Sequence, residues 1–254
     1  MFRTFPWLAA LLLAAAGAVR AELPAAPVAA VPDADDVLRQ VVARLPREAL
    51  QISGKLRADP RDGKPARQCQ VQLHLEYGAT PPQVRYTIMD AFGEDLEQLT
   101  IFRPDKGAVS WHYARGYPLA EAALDDPRRP IQGTDLTWSD LSLSFLWWRG
   151  ARLTGTESVL GRSCLVIEAP APAGEPTPYA SARLWIDRKY QVLLRADGLD
   201  KSGQAIRRIE VKSIKQINEE YMVNDLNVTS YPSRLRTSLQ IHVVDKPQPE
   251  APSR

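Results

Sequence analysis

The chain has 254 residues, of which 44% are hydrophobic and 24% charged, with 32 Lys and Arg against 30 Asp and Glu and only two cysteines. That length suits one large β-domain without requiring two, and the apolar fraction is enough for a sizeable core. Arg3 and Arg20 lie in a segment expected to be removed, which balances the two signs, so charge gives no reason to expect a nucleic acid or an anionic membrane surface as partner.

Residues 1–21 carry an early positive charge at Arg3, an apolar run from Trp7 to Ala16, and small residues at Val19 and Ala21 that suit a signal peptidase. This is the pattern of a cleavable export signal. A retained anchor is the competing reading, but the apolar run is shorter than the roughly 20 residues that span a bilayer. No cysteine follows the cleavage region, so lipid attachment there is chemically excluded, and the expected location is the periplasm. Residues 22–32, with three prolines among Ala and Val, read as a linker that holds neither helix nor ladder.

The domain is expected over residues 33–245. Asp33 or Asp35 can cap a short helix whose apolar face is Val37, Leu38, Val41, Val42 and Leu45, stopped at Pro46. From Ala49 the period changes to two. Leu50, Ile52 and Leu56 alternate with polar residues up to a turn at Asp59 to Gly63. Val71, Leu73, Leu75 and Tyr77 then alternate with Gln70, Gln72, His74 and Glu76, the pattern of a strand wet on one face and covered on the other. Strands follow from Val84 to Met89, Asp95 to Arg103 and Val109 to Tyr113, joined by turns at Asp90 to Gly93 and Pro104 to Gly107. This is an antiparallel meander. Ala114 to Gly133 reads as a long irregular loop, a kind that is usually functional or mobile.

The densest apolar stretch is Gly133 to Trp148. Thr137 and Asp140 form a capping-box pattern, which predicts a helix starting at Trp138. On a helix, Trp138, Leu141, Phe145 and Trp148 share one stripe while Leu143, Leu146 and Trp147 fill most of the rest. A helix apolar nearly all round must be surrounded, by protein or by a greasy ligand. Strands return at Leu153 to Leu160, Arg162 to Ala169, Ala182 to Ile186, Val192 to Leu199, Ala205 to Ile217, Tyr221 to Thr229 and Leu235 to Val243. Residues 246–254 are a proline-rich tail.

Catalytic signatures are absent from this pattern. His74, His112 and His242 sit on separate strands with no metal-ligand spacing, and no nucleophile elbow, phosphate loop or zinc motif occurs. No metal or cofactor is expected, and the chain does not read as an enzyme. Cys69 and Cys164 each lie in an apparent strand; export permits a disulfide between them, and two buried thiols are an equal alternative. Trp111, Trp138, Leu141, Phe145 and Trp148 are either ordinary core or the lining of a ligand cavity formed by a curved sheet and an apolar helix. Arg128 and Arg129 either meet an anionic head group there or are simply solvated.

The turn Asp90-Ala-Phe-Gly93, the segment from Gly133 to Leu141, the strand Gly161-Arg-Ser-Cys-Leu-Val-Ile-Glu168 and the hairpin from Leu184 to Arg195, in this order, resemble the outer-membrane lipoprotein-sorting proteins of the LolA-like superfamily over about residues 33–245. The resemblance implies a half-open antiparallel barrel lidded by helices, with the apolar helix in its concave face. It further implies a monomeric periplasmic carrier of lipid or lipoprotein acyl chains, exchanging cargo with membrane-bound donor and acceptor proteins. The same half-barrel also serves as a periplasmic sensor or protein-interaction module acting on anti-sigma factors.

Overall fold

The computed structural model describes residues 32–59, 66–104, 108–217, 220–231, 233 and 235–245. The export signal, the linker up to residue 31, the turns at 60–65 and 105–107 and the tail 246–254 lie outside the described residues. The unit that begins at Pro32 is built on β1 (Leu50–Asp59), β2 (Arg67–Glu76), β3 (Gln83–Met89), β4 (Asp95–Phe102), β5 (Ser110–Arg115), β6 (Ala120–Ala122), β7 (Arg152–Val159), β8 (Arg162–Pro170), β9 (Ser181–Asp187), β10 (Leu193–Leu199), β11 (Ala205–Ile217), β12 (Glu220–Ser230) and β13 (Arg236–Asp245). They form one antiparallel sheet in the order β6-β5-β4-β3-β2-β1-β13-β12-β11-β10-β9-β8-β7. The sheet is open, with β6 and β7 as its edges. All neighbours are consecutive in sequence except β1 and β13, which pair over nearly their full length.

The two-residue period places the strands as expected. In β1, Leu50, Ile52, Leu56 and Ala58 are buried while their neighbours are not, the signature of a sheet with one covered face. The turn after β3 is held by the Asp90 carboxylate, which accepts from the Phe92 and Glu94 amides at 2.8 and 3.0 Å, and Gly93 supplies the positive φ that the turn needs. One strand was not expected: β6 forms inside the stretch read as an irregular loop.

The covered face is closed by α1 (Ala34–Ala43) and by the segment from Ile131 to Trp148. Asp33 caps α1 by accepting from the Asp36 amide at 2.9 Å, and Val37, Leu38 and Val41 pack on the inner residues of β8 and β9. The capping box at Thr137 and Asp140 forms with both reciprocal bonds. The helix it starts is shorter than expected. α2 spans only Trp138–Leu141, and after Leu143, which adopts a left-handed φ of 47°, a 3-10 turn runs over Ser144–Trp147. The break leaves helix carbonyls without intrahelical partners, and the sheet satisfies them: Tyr86 donates to the Leu141 carbonyl at 2.6 Å and Arg103 to the Ser142 carbonyl at 2.9 Å. The Arg103 guanidinium lies 4.1 Å above the Trp147 ring. Reading the stripe as one continuous helix missed these long-range hydrogen bonds, which outweigh local helix continuation.

Asp140, 1% exposed, fixes the segment to the sheet. It accepts from the Thr137 amide and hydroxyl at 3.0 and 2.7 Å and from the Tyr179 hydroxyl, and it pairs with Arg207 of β11 at 3.2 Å. Tyr179 rests flat against Gly198 of β10, where an added Cβ would lie 2.3 Å from the ring, so only glycine fits there. Arg207 also donates to the Asp135 carbonyl. Arg207→Met leaves the buried carboxylate uncompensated and should cost about 3–5 kcal/mol of stability. The double variant with Asp140→Asn should recover part of that loss. Urea melts of the two single variants and the double variant measure the coupling, and simple additivity would show that the pair does not act as a unit.

Candidate functional site

The site is an apolar cleft of about 250 Å³ between the C-terminal end of α1, the broken helical segment and strands β10 to β12. Leu143 and Leu146 line it from above, and Leu193, Ile209, Val211 and Leu226 from the sheet. Two irregularities make it. The left-handed turn at Leu143, strained for a β-carbon residue, ends α2 and brings Leu143 and Leu146 to the cleft. In β10 a register shift against β9 falls between Leu193 and Arg195. A regular strand would send successive side chains to opposite faces; around this bulge Leu193, Leu194 and Arg195 all reach the cleft. Leu143, Val192, Leu193, Ile209, Val223 and Leu226 remain only half-buried.

The charged lining consists of two arginines. Arg44, just past α1, is exposed and donates from Nε to Gln191 Oε1 at 2.6 Å, which ties the end of α1 to the β9–β10 hairpin. Arg195 pairs with Glu210 at 2.6 Å and lies 5.1 Å over the Trp185 ring, yet its buried Nε has no hydrogen-bond partner. Burial alone would raise the Glu210 pKa; hydrogen bonds from Lys212 and Arg195 outweigh it and leave the carboxylate below its ordinary range. At the other end of α1, Asp35 accepts from the Gly150 and Ala151 amides at 3.2 and 2.9 Å. α1 is thus held at both ends by exposed or half-buried polar contacts.

The aromatic residues singled out in the sequence do not line this cleft. Trp138 (0% exposed) lies in the core under β1 to β5, against Tyr113. Phe145 and Trp148, each 3% exposed, pack edge to face in a second core cluster with α1. Leu141 and Trp111 are half-buried at the margin of the first cluster. The Nε1 atoms of Trp138 and Trp148 are buried without a partner. Arg128 is exposed and paired with Asp126 at 2.8 Å. Arg129 donates to Glu97 at 2.9 Å and to the Tyr113 hydroxyl, and stands 5.3 Å over the Tyr113 ring. Neither arginine lines the cleft. Leu143 and Leu146 were visible in the sequence only as apolar residues outside the stripe, on the rest of the helix circumference; nothing in it marked Leu193, Arg195 or Arg44, because the bulge has no local signature.

No disulfide joins Cys69 and Cys164. Both are buried free thiols, Cys69 in the cluster under β1 to β5 and Cys164 in a third cluster on the opposite face of β8 and β9, with β1, β13, β12, β11, β10 and β9 between their strands. Burial pushes the Cys69 thiol up to about 11, far from a reactive thiolate at neutral pH. His74 bonds Glu76 at 2.8 Å, and His112 packs against Phe102. Among the described residues no group of His, Cys, Asp and Glu is arranged to hold a metal, and no helix is long and apolar enough to cross a membrane.

An open antiparallel sheet whose covered face is lidded by a short helix and a broken helical segment, with an apolar cleft beneath, defines the class. A family model described as "-like: Uncharacterized protein" matches residues 99–250, more than half of the chain. The chain belongs to the family that this model describes, and it shares its fold with a LolA superfamily protein. No curated protein matches it by sequence. Among solved structures it is similar to a DUF1329 family protein from Desulfovibrio piger, at 13% identity and a TM-score of 0.71 over 84% of this chain and 91% of that one. A putative outer membrane lipoprotein-sorting protein domain from Vibrio parahaemolyticus is similar at 13% identity and a TM-score of 0.68, over 83% and 91% of the two chains. A LolA superfamily protein from Nitrosomonas europaea follows at 14% identity and a TM-score of 0.63, over 86% and 95%. At these identities the likeness establishes the fold.

The two populations of apolar residues should behave differently on truncation. Phe145→Ala opens a hole in a closed core and should cost about 3–5 kcal/mol; Leu226→Ala removes a half-buried side chain from an existing cleft and should cost well under half of that. Thermal melts of the two variants separate the cases. For Asp35, hydrogen bonding from the Ala151 amide, the largest influence, holds the pKa below its ordinary 3.8 despite partial burial. Its contact with residues 150 and 151 therefore stabilises the fold above that value and is lost as pH falls through the depressed pKa. Asp35→Asn should lower the melting temperature at pH 7 and leave it unchanged at a pH below both values.

Proposed function

We propose that the protein is a carrier that buries acyl chains of lipids or lipoproteins in the cleft between α1 and strands β10 to β12. The carrying observation is the cleft itself: leucine, isoleucine and valine side chains left half-exposed on three walls, with no acidic residue among them. Solvated apolar surface of this kind is held open at a cost that a bound chain offsets, at about 0.8 kcal/mol for each methylene buried. Polar clips hold the two ends of α1, and opening the cleft further means lifting Val37, Leu38 and Val41 off the inner residues of β8 and β9. The lipoprotein-sorting name of the similar Vibrio protein supports this reading. In it the protein works in the periplasm as a monomer, hands its cargo from a membrane-bound donor towards an outer-membrane acceptor, and performs no covalent chemistry. Leu141 and Trp111, at the margin of their cluster, and Trp138, Phe145 and Trp148, inside theirs, would then act by holding the lid segment in place. Arg128 and Arg129 are offered no head group in this reading, since each already has a partner.

A second reading, as a periplasmic sensor or protein-interaction module, draws on the edge strand β7, most of whose side chains are exposed and whose outer side pairs with no strand of the sheet. The readings separate in one preparation. Protein purified from a membrane-containing host should release lipid on solvent extraction, and the delipidated protein should take up a fluorescent fatty acid. Leu226→Asp, which sets a charge in the cleft, should abolish uptake, with Leu226→Ala as the control for the stability that the lost packing alone costs. Clean protein that takes up no fatty acid would remove the carrier reading.

A further inference from the structure

Resting on that reading, we propose that the cleft accepts one short acyl chain carrying a carboxylate, with the Arg44 guanidinium meeting the carboxylate at the rim. Volume limits the chain. An apolar cavity of about 150 Å³ accommodates benzene, with six carbons, and the cleft here measures about 250 Å³. By proportion it holds on the order of ten apolar carbons. It is also below the range of about 300–1,000 Å³ usual for pockets that enclose larger ligands. A two-chain or three-chain lipid would leave most of its hydrocarbon in water.

Charge limits the head group. No Asp or Glu lines the cleft, and its two cations are in different states. Arg195 is already neutralised by Glu210 at 2.6 Å, and its remaining donor, the buried Nε, is unsatisfied. Arg44 has no carboxylate partner among the described residues; its Nε is oriented by Gln191 Oε1 at 2.6 Å. Gln191 is itself fixed by donating to Gln40 of α1. One oriented, unneutralised guanidinium beside an apolar cleft is matched by a single negative charge on an apolar tail, and its planar fork suits a carboxylate. An uncharged tail leaves Arg44 without a counter-charge and gains nothing from it.

Delipidated full chain is titrated with n-alkanoates of increasing length and with the matching n-alkanols, by calorimetry or displacement of a bound fluorescent dye. Affinity should rise about fourfold for each added methylene and level off at about ten carbons. Decanoate should bind about tenfold more tightly than decanol, as expected for one charge-assisted contact. Arg44→Gln should erase that preference, and Arg44→Lys, which keeps the charge, should restore most of it. A steady rise through hexadecanoate, equal binding of acid and alcohol, or a preference that survives Arg44→Gln would each overturn the proposal while leaving the carrier reading in place. Failure of both series to bind would overturn the carrier reading as well.

Discussion

The arrangement depends on one buried carboxylate. Asp140 sits at the third position of α2, where it completes a capping box, and there it also receives the Tyr179 hydroxyl and the Arg207 guanidinium. A carboxylate almost wholly out of water is tolerated only with such a full set of donors. The donors come from three parts of the chain: the residue before α2, the connection between β8 and β9, and β11. Satisfying this one group therefore sets where the segment from Ile131 to Trp148 lies on the sheet. That placement in turn puts Leu143 and Leu146 over β10 and β12, and the cleft exists because of it.

The strands were largely legible because a half-covered sheet writes a two-residue period into its sequence, as Val71 to Tyr77 does in β2. β1, β2 and β5 follow from that period, the other nine expected strands from apolar runs bounded by turn residues, and β6, three residues long, is too short to show either. The capping box at Thr137 was legible for the same reason: its chemistry is local. The length of the helix after it was not. Tyr86 and Arg103, about 55 and 39 residues away in sequence, take the carbonyls that a longer helix would have kept, and no local pattern carries that information. The aromatic stripe was read correctly as surrounded, but the surroundings are core for Trp138, Phe145 and Trp148. The apolar cleft residues are aliphatic, drawn from five elements and assembled by a bulge.

The large aromatics serve the core alone, whereas the cleft shares Val41, Leu146, Leu194 and Val211 with the core clusters. The large aromatics of the segment fill closed clusters shared with the strands on both sides, which fixes the segment against the sheet. The cleft is left to half-buried Leu, Ile and Val on its underside. Arg44 and Gln191 close one rim through a contact between two flexible side chains, and Asp35 secures the far end of α1 through backbone amides. Exposed contacts of this kind contribute little net stability each, so α1 is held chiefly by Val37, Leu38 and Val41, which are buried in the cluster with β8 and β9.

The pairing of β1 with β13 has a kinetic consequence. Every other neighbouring pair in the sheet is a hairpin or a short connection and can form as soon as its two strands are available. A chain emerging from its amino-terminal end can therefore build β1 to β6 and then β7 to β12 as two separate ribbons, each with an open edge at the strand that will later be central. Only the arrival of β13 joins them. Until then both ribbons expose the backbone of a strand meant for the middle of the sheet, the kind of edge that invites pairing with another chain. The last strand acts as a seam, and removing it would divide the sheet through its centre rather than trim its margin.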